Sequence, residues 1–267
     1  MAEIIRINSI DDPRVREYLS LKCSKKALDG GCFIAEGEKV IRLALELGLE
    51  PVSLLMEERQ IVGLGKAVLS LADVPVYTSS REILSGITGF ELTRGFLSLM
   101  RRPKMPSVDE VLEKAKRVAV LEGLSDGVNV GAIMRSAAAL GIDAVLLYKN
   151  CCDPLNRRSV RVSMGTVLQI PWAYLELPLS EGVELLRSKG FLTVSLALKN
   201  DTVGIDDPVL TKAERLAMFF GSEGNGLDER IVDNCDYTAK IPMYHGVDSL
   251  NVAAAAAVSF WEIAKRA

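Results

Sequence analysis

The sequence predicts an α/β protein with a mostly parallel sheet, preceded by a smaller α/β unit. Three observations carry that expectation. Short apolar runs of strand length alternate with stretches of helical period along nearly the whole chain, the pattern of strands joined by crossover helices. A polar, proline-punctuated stretch, RRPKMP at residues 101–106, interrupts the alternation and reads as a linker. Late in the chain, two loops rich in Gly, Ser and Asn, residues 221–227 and 241–251, flank one short strand pattern, and ligands in parallel sheets bind at such strand-end loops.

Asp11, Asp12 and Pro13 make a helix start and Gly30-Gly31 a stop, so residues 12–28 are expected to be helical. Val15, Tyr18, Leu19 and Leu21 would form its apolar side, and Lys22, Lys25 and Lys26 a basic cluster at its end. CFIAEG then reads as a strand and EKVIRLALELG as an amphipathic helix with Val40, Leu43, Ala44 and Leu47 on one face. PVSLLM, the region around residues 61–71, VPVYT, REILSGI and GFLSLM continue the strand and helix alternation, closing a small α/β unit near Met100. The linker sets the expected boundary, with units of 1–103 and 107–267. Beyond it, residues 108–115 suggest a helix, and RVAVLEG, DAVLLY, PWAYLE, FLTVSLAL, LAMFF and YTAKI read as strands alternating with helical patterns. Residues 250–261 are apolar nearly all round a helix, which predicts burial against both the chain's own core and a partner subunit, hence a homodimer.

Composition removes several function classes. The 267 residues are 49% hydrophobic and 25% charged, a globular profile, and a net charge of −3 argues against whole-surface binding of nucleic acid, so an RNA partner needs local patches. No apolar run is long enough to span a bilayer and no basic start precedes an apolar core, so the expected location is cytoplasmic. Five cysteines without a C-x-x-C pair, and one histidine, predict neither a metal site nor a disulfide framework.

The residues that could carry chemistry fall in four places. In GSEGNGL, Gly221, Gly224 and Gly226 permit positive φ and close backbone approach, and Glu223 places a carboxylate among backbone N–H groups; the run matches neither a Walker A loop nor G-x-G-x-x-G. In the second loop, Asp248, Ser249 and Asn251 are candidate N-caps for the last helix. Residues 121–147, LEGLSDGVNVGAIMRSAAALGIDAVLL, place Asn129 at the end of a turn, where it can cap a helix beginning near Val130. Arg135 lies about 9 Å further along that helix and leans back toward its start. DPLNRRSVRVSMGT offers Arg157, Arg158 and Arg161, either as a solvated face or as phosphate contacts.

GSEGNGL, then IPM, then SLNVAAA, together with the upstream 121–147 stretch, resemble the signature motifs of the SpoU-type (TrmH-type) RNA 2′-O-ribose methyltransferases of the SPOUT superfamily. FIAEGEKVI and ITGFELTRGFLSLM resemble that family's N-terminal substrate-binding domain. The resemblance implies a C-terminal trefoil knot, S-adenosylmethionine as cofactor, a homodimer, and methyl transfer to a ribose 2′-hydroxyl of structured RNA. Ribosomal RNA is the expected substrate, with transfer RNA, or a non-catalytic ribosome-assembly role on the same fold, as alternatives. It assigns catalysis to Asn129, Arg135, Glu223, Ser249 and Asn251. Cofactor binding falls to Gly221, Glu223, Gly224, Ile241, Met243, Ser249, Leu250 and Asn251. RNA contacts fall to Arg157, Arg158, Arg161, Lys22, Lys25 and Lys26. One departure is visible: the usual Asp-Pro-x-Asn reads Asp126-Gly127-Val128-Asn129. A guanidinium resists deprotonation, so Arg135 is expected to contact the ribose oxygen and its phosphate, and His245 is the alternative proton acceptor.

Overall fold

The computed structural model describes residues 3–19, 31–63, 68–92, 95–199, 201–222 and 224–264. They divide into two units, Met1–Lys104 with Pro154–Leu168, and Met105–Asp153 with Gln169–Ala267, each with its own sheet. The chain therefore leaves the second unit once, to add residues 154–168 to the first.

In chain order the first half holds β1 (Ile4–Arg6), a 3-10 helix (Pro13–Tyr18), β2 (Cys32–Glu36), α1 (Glu38–Glu46), β3 (Pro51–Glu57), β4 (Val76–Ser79), α2 (Arg81–Thr88) and β5 (Phe96–Arg101). Then follow α3 (Val108–Leu112), β6 (Arg117–Leu121), α4 (Gly127–Ala139), β7 (Ala144–Tyr148), α5 (Arg157–Val162), β8 (Trp172–Leu175) and α6 (Leu179–Ser188). The chain continues through β9 (Leu192–Leu196), β10 (Val203–Gly204), α7 (Pro208–Thr211), β11 (Leu216–Phe220), α8 (Glu229–Val232), β12 (Tyr237–Lys240) and α9 (Val252–Ala264).

The first sheet has the order β1-β4-β3-β5-β2, with β5 antiparallel to both neighbours and the other pairs parallel. Of the helix expected over 12–28, residues 20–28 lie outside the described residues, and the described start differs from a regular α-helix. Asp12 does cap it, accepting from the Arg14 amide at 3.0 Å, but the turn is 3-10 and ends at Tyr18, with Leu19 extended. Tyr18 explains the break. Its buried hydroxyl lies 3.0 Å from the Ser53 carbonyl, 2.8 Å from Ser53 Oγ and 3.2 Å from the Leu99 amide, filling the gap where β3 bulges against β5. An anchored side chain on the sheet fixes where the helix must stop. Burial raises the phenol's pKa well above its ordinary value.

The return segment seats α5 beside β2. Arg157 Nη1 lies 2.5 Å from Glu36 Oε2, with side chains 9% and 1% exposed, and the guanidinium stacks over Phe90 at 4.0 Å. Arg161 reaches the other Glu36 oxygen at 3.5 Å.

The second sheet, of order β10-β12-β9-β11-β6-β7-β8, is parallel at every described pairing. Its central strands β6 and β11 are buried at every residue, as strands covered on both faces must be. Here α4 and α9 pack together, and each buries small residues, Gly131 and Ala137 on one and Ala256 on the other. α4 starts three residues earlier than expected: Asp126 is the cap, accepting from the Val128 amide at 2.9 Å, and Gly127 holds the first helical position. Asn129 is therefore inside the first turn, with its side chain free for other work. Among the described residues no helix is long and apolar enough to cross a membrane.

Candidate active site

A cleft of about 600 Å³ opens at the carboxyl ends of β9, β11 and β12. That is ample for a nucleoside-sized ligand. Gly221 leaves β11 so close to the returning chain that a Cβ there would sit 2.2 Å from the Leu227 amide nitrogen, so only glycine fits. Beyond it, Ser222 and Gly226 exchange both backbone bonds, at 3.1 and 2.9 Å, and close a tight loop over the cleft. The second wall comes from the stretch after β12, through Ile241, Met243, Ser249, Leu250 and Asn251.

Gly221 and these five residues are the predicted cofactor positions that line the cleft. Gly224 does not: it is exposed at the loop tip, with open space on its side-chain side. Glu223 lies outside the described residues, as do Lys22, Lys25 and Lys26. His245 is exposed, in a left-handed conformation (φ 57°), and is not part of the cleft lining. The carboxyl end of β9, including Leu196 and Lys199, also lines the cleft and was not singled out from sequence. The rule that ligands sit at strand carboxyl ends would have pointed to it, because FLTVSLALKN leaves its strand there.

Asn251 joins the two motif regions. Its Oδ1 accepts from the amides of Ala253 and Ala254, at 3.0 and 3.4 Å, so Asn251, not Asp248 or Ser249, caps α9. Its Nδ2 donates to Asn129 Oδ1 at 3.1 Å. Asn129 is 8% exposed on the first turn of α4 and does not itself line the cleft; it reaches the cleft only through Asn251. Arg135 is not brought to this pair. Six residues on, at about 100° per residue, it points about 120° away from Asn129. It is exposed and makes no hydrogen bond or ion pair among the described residues.

The predicted phosphate contacts divide. Arg157 is committed to Glu36 and Phe90, which corrects its assignment to RNA: the isolated segment showed three basic residues and concealed a buried counter-ion in β2. Burial lowers its pKa, against the pull of Glu36. Arg158 and Arg161 are exposed. Among the described residues no group of three or more His, Cys, Asp or Glu is placed to hold a metal ion.

A parallel sheet with two glycine- and asparagine-bearing loops over adjoining strand ends, and a cleft of this size, is an α/β arrangement that suits a nucleoside-sized ligand. The chain belongs to the SpoU rRNA Methylase family, whose family model matches residues 116–261, and it is a methyltransferase of that family. It is 37% identical over 257 residues to the uncharacterised tRNA/rRNA methyltransferase Mb0905 of Mycobacterium bovis, covering 94% of this chain and 88% of that one. It is 27% identical to the 23S rRNA (guanosine(2553)-2′-O)-methyltransferase RlmP of Bacillus subtilis, covering 97% and 98%. An AdoMet-bound rRNA methyltransferase from Sinorhizobium meliloti shares the fold, with a TM-score of 0.83, 23% identity and 98% of each chain covered.

Proposed function

We propose that the protein methylates a ribose 2′-hydroxyl of ribosomal RNA, using S-adenosylmethionine. The observation that carries this reading is the Asn129–Asn251 hydrogen bond, which ties the 121–147 stretch to a residue lining a cleft walled by the 221–227 and 241–251 loops. The cleft fits the cofactor: Gly221 and Ser222 lie in one wall, while Leu196, Phe220, Ile241 and Leu250 offer apolar surface. When bound, the cofactor supplies a methyl group activated by a sulfonium. The protein's part is to hold the 2′-oxygen in line and keep water out, and positioning of this kind can account for much of a rate enhancement. Asn129, Ser249 and Asn251 are the polar side chains for that task, and the family resemblance adds Glu223.

Ribosomal RNA is favoured because RlmP, which carries that substrate in its name, aligns with 97% of this chain, first unit included. In this reading residues 1–103, joined by residues 154–168, recognise RNA, and the rest of 107–267 forms the SPOUT domain with its trefoil knot. A homodimer is supported by a stripe of Ala254, Val258 and Trp261 along the exposed side of α9, with Trp261 53% exposed. Arg135, unpartnered on the adjoining helix, is then available to a site completed by the second copy. Such an enzyme works in the cytoplasm, on ribosomes or their precursors.

Calorimetry with S-adenosylmethionine and its demethylated product tests the cofactor. One site per chain at micromolar affinity is expected. A folded protein that binds neither would leave an RNA-binding protein without this chemistry.

A further inference from the structure

We infer that Glu122 and Asn150 form a clasp that positions the Asn129-bearing turn and the 222–226 loop for methyl transfer, and that both are positioning residues of the reaction. The inference rests on the reading above. Glu122 directly follows β6 at its carboxyl edge and is 8% exposed, where a carboxylate is costly unless a donor reaches it. Asn150, on the exposed loop after β7, supplies one: its Nδ2 lies 2.6 Å from Glu122 Oε1. Its Oδ1 accepts from the Gly123 amide at 3.0 Å, and that bond decides which way the Asn150 amide faces.

The loop grips the turn at two more points. The Cys152 amide donates to the Leu124 carbonyl at 2.7 Å, and Cys151 Sγ lies 3.2 Å from the Leu121 carbonyl. Residues 121–124 are thus held at four successive positions by residues 150–152. On the other side of the turn, Gly123 (φ 69°) backs onto Ser222, whose Cβ lies 3.6 Å from where a Gly123 Cβ would be. Ser222 opens the loop that closes the cleft, and Asp126, which caps α4, follows three residues after Gly123. One carboxylate–amide pair therefore sets both the loop above the cleft and the start of the helix that presents Asn129. Burial pushes the Cys151 thiol up to about 12, as suits a packing and hydrogen-bonding role.

The test uses the full chain. Asn150→Asp keeps the acceptor for Gly123 but sets two carboxylates against each other; the swap E122Q/N150D restores an amide–carboxylate pair with its polarity reversed. Asn150→Ala removes both bonds without adding charge, and serves if N150D does not fold. Turnover is measured on an unmodified 23S ribosomal RNA transcript, cofactor affinity by calorimetry, and backbone amide exchange by mass spectrometry without RNA. In the single variants kcat should fall about 10–100-fold, the scale of a small misplacement, with KM for the RNA nearly unchanged. Amide exchange should quicken in residues 121–131 and 222–226 only. The swap should recover turnover and slow exchange in the same peptides.

Wild-type kcat in both single variants, exchange that quickens evenly through the chain, or a folded swap that recovers neither readout would overturn the clasp. If the unaltered protein methylates no ribose, the functional reading fails, and the exchange comparison still decides whether the clasp orders the two site segments.

Discussion

Asn251 holds α9 and Asn129 with one amide: its oxygen caps the helix at Ala253 and Ala254, and its nitrogen donates to Asn129 at 3.1 Å. The two duties separate on substitution. Asn251→Ala should cost about 1 kcal/mol of stability through the lost cap, together with most of the activity. Asn251→Asp retains a good cap acceptor but no donor, so its melting temperature should stay near that of the unaltered protein while turnover falls. Thermal melts beside methyl-transfer rates check both; equal activity in Asn251→Asp and the unaltered protein would remove the bond to Asn129 from the mechanism.

Arg135 is exposed and unpartnered among the described residues, so its loss should leave the fold alone. Arg135→Ala is expected to melt within a degree or two of the unaltered protein and to bind S-adenosylmethionine equally well. Its turnover should fall about 10²–10³-fold, the scale for one preorganised donor. Activity that survives in Arg135→Ala but is lost in His245→Ala would transfer the role to the histidine.

Glu36 and Arg157 form a pair with both partners buried, and breaking such a pair strands a charge. Glu36→Ala should cost about 3–5 kcal/mol in urea denaturation, whereas E36L/R157M should cost far less. A protein truncated to begin at Ser107 loses β2 and Glu36 together, leaving Arg157 and the buried Ser159 and Val160 uncovered. It should therefore be less stable than the full chain and bind a hydrophobic dye. A truncated protein as stable as the full chain would show that residues 154–168 do not need the first sheet.

Asp236 accepts from the Thr193 amide and hydroxyl, at 2.8 and 2.7 Å, and from Arg187 Nε at 3.0 Å, tying β12 to β9. Burial alone would raise its pKa, but these bonds outweigh burial and hold it below the ordinary carboxylate value. A depressed folded pKa means that the contribution is present above the unfolded value of about 4 and lost as pH falls through the folded one. Stability should therefore fall with acid below about pH 4, and Asp236→Asn should flatten that part of the curve. Denaturation at a series of pH values would show it, and parallel curves would exclude Asp236 as a source.

The central strands were legible because β6, β7 and β11 are apolar runs buried along their whole length. β1 and β10, at three and two residues, are too short to leave a periodic trace. The described start of the helix expected over 12–28 is a 3-10 turn instead, because local propensity could not show that Tyr18 is tied to Ser53 and Leu99. Arg157 misled for a similar reason. Its partner lies 121 residues away, although Glu36, a lone carboxylate ending the apolar run CFIAE, was a sign that some cation had to come. Asn251 and the Gly221 passage were visible in sequence because caps and close approaches restrict residue type, whereas the bond between Asn129 and Asn251 belongs to the fold.

The most direct test of the account is the chemical position of the transferred methyl. Protein incubated with unmodified 23S ribosomal RNA and methyl-labelled S-adenosylmethionine is followed by digestion of the RNA to nucleosides and mass spectrometry. Label is expected in a single 2′-O-methyl nucleoside, at a phosphodiester that resists alkaline cleavage. Label on a base, or cofactor binding with no label on any ribose, would contradict it.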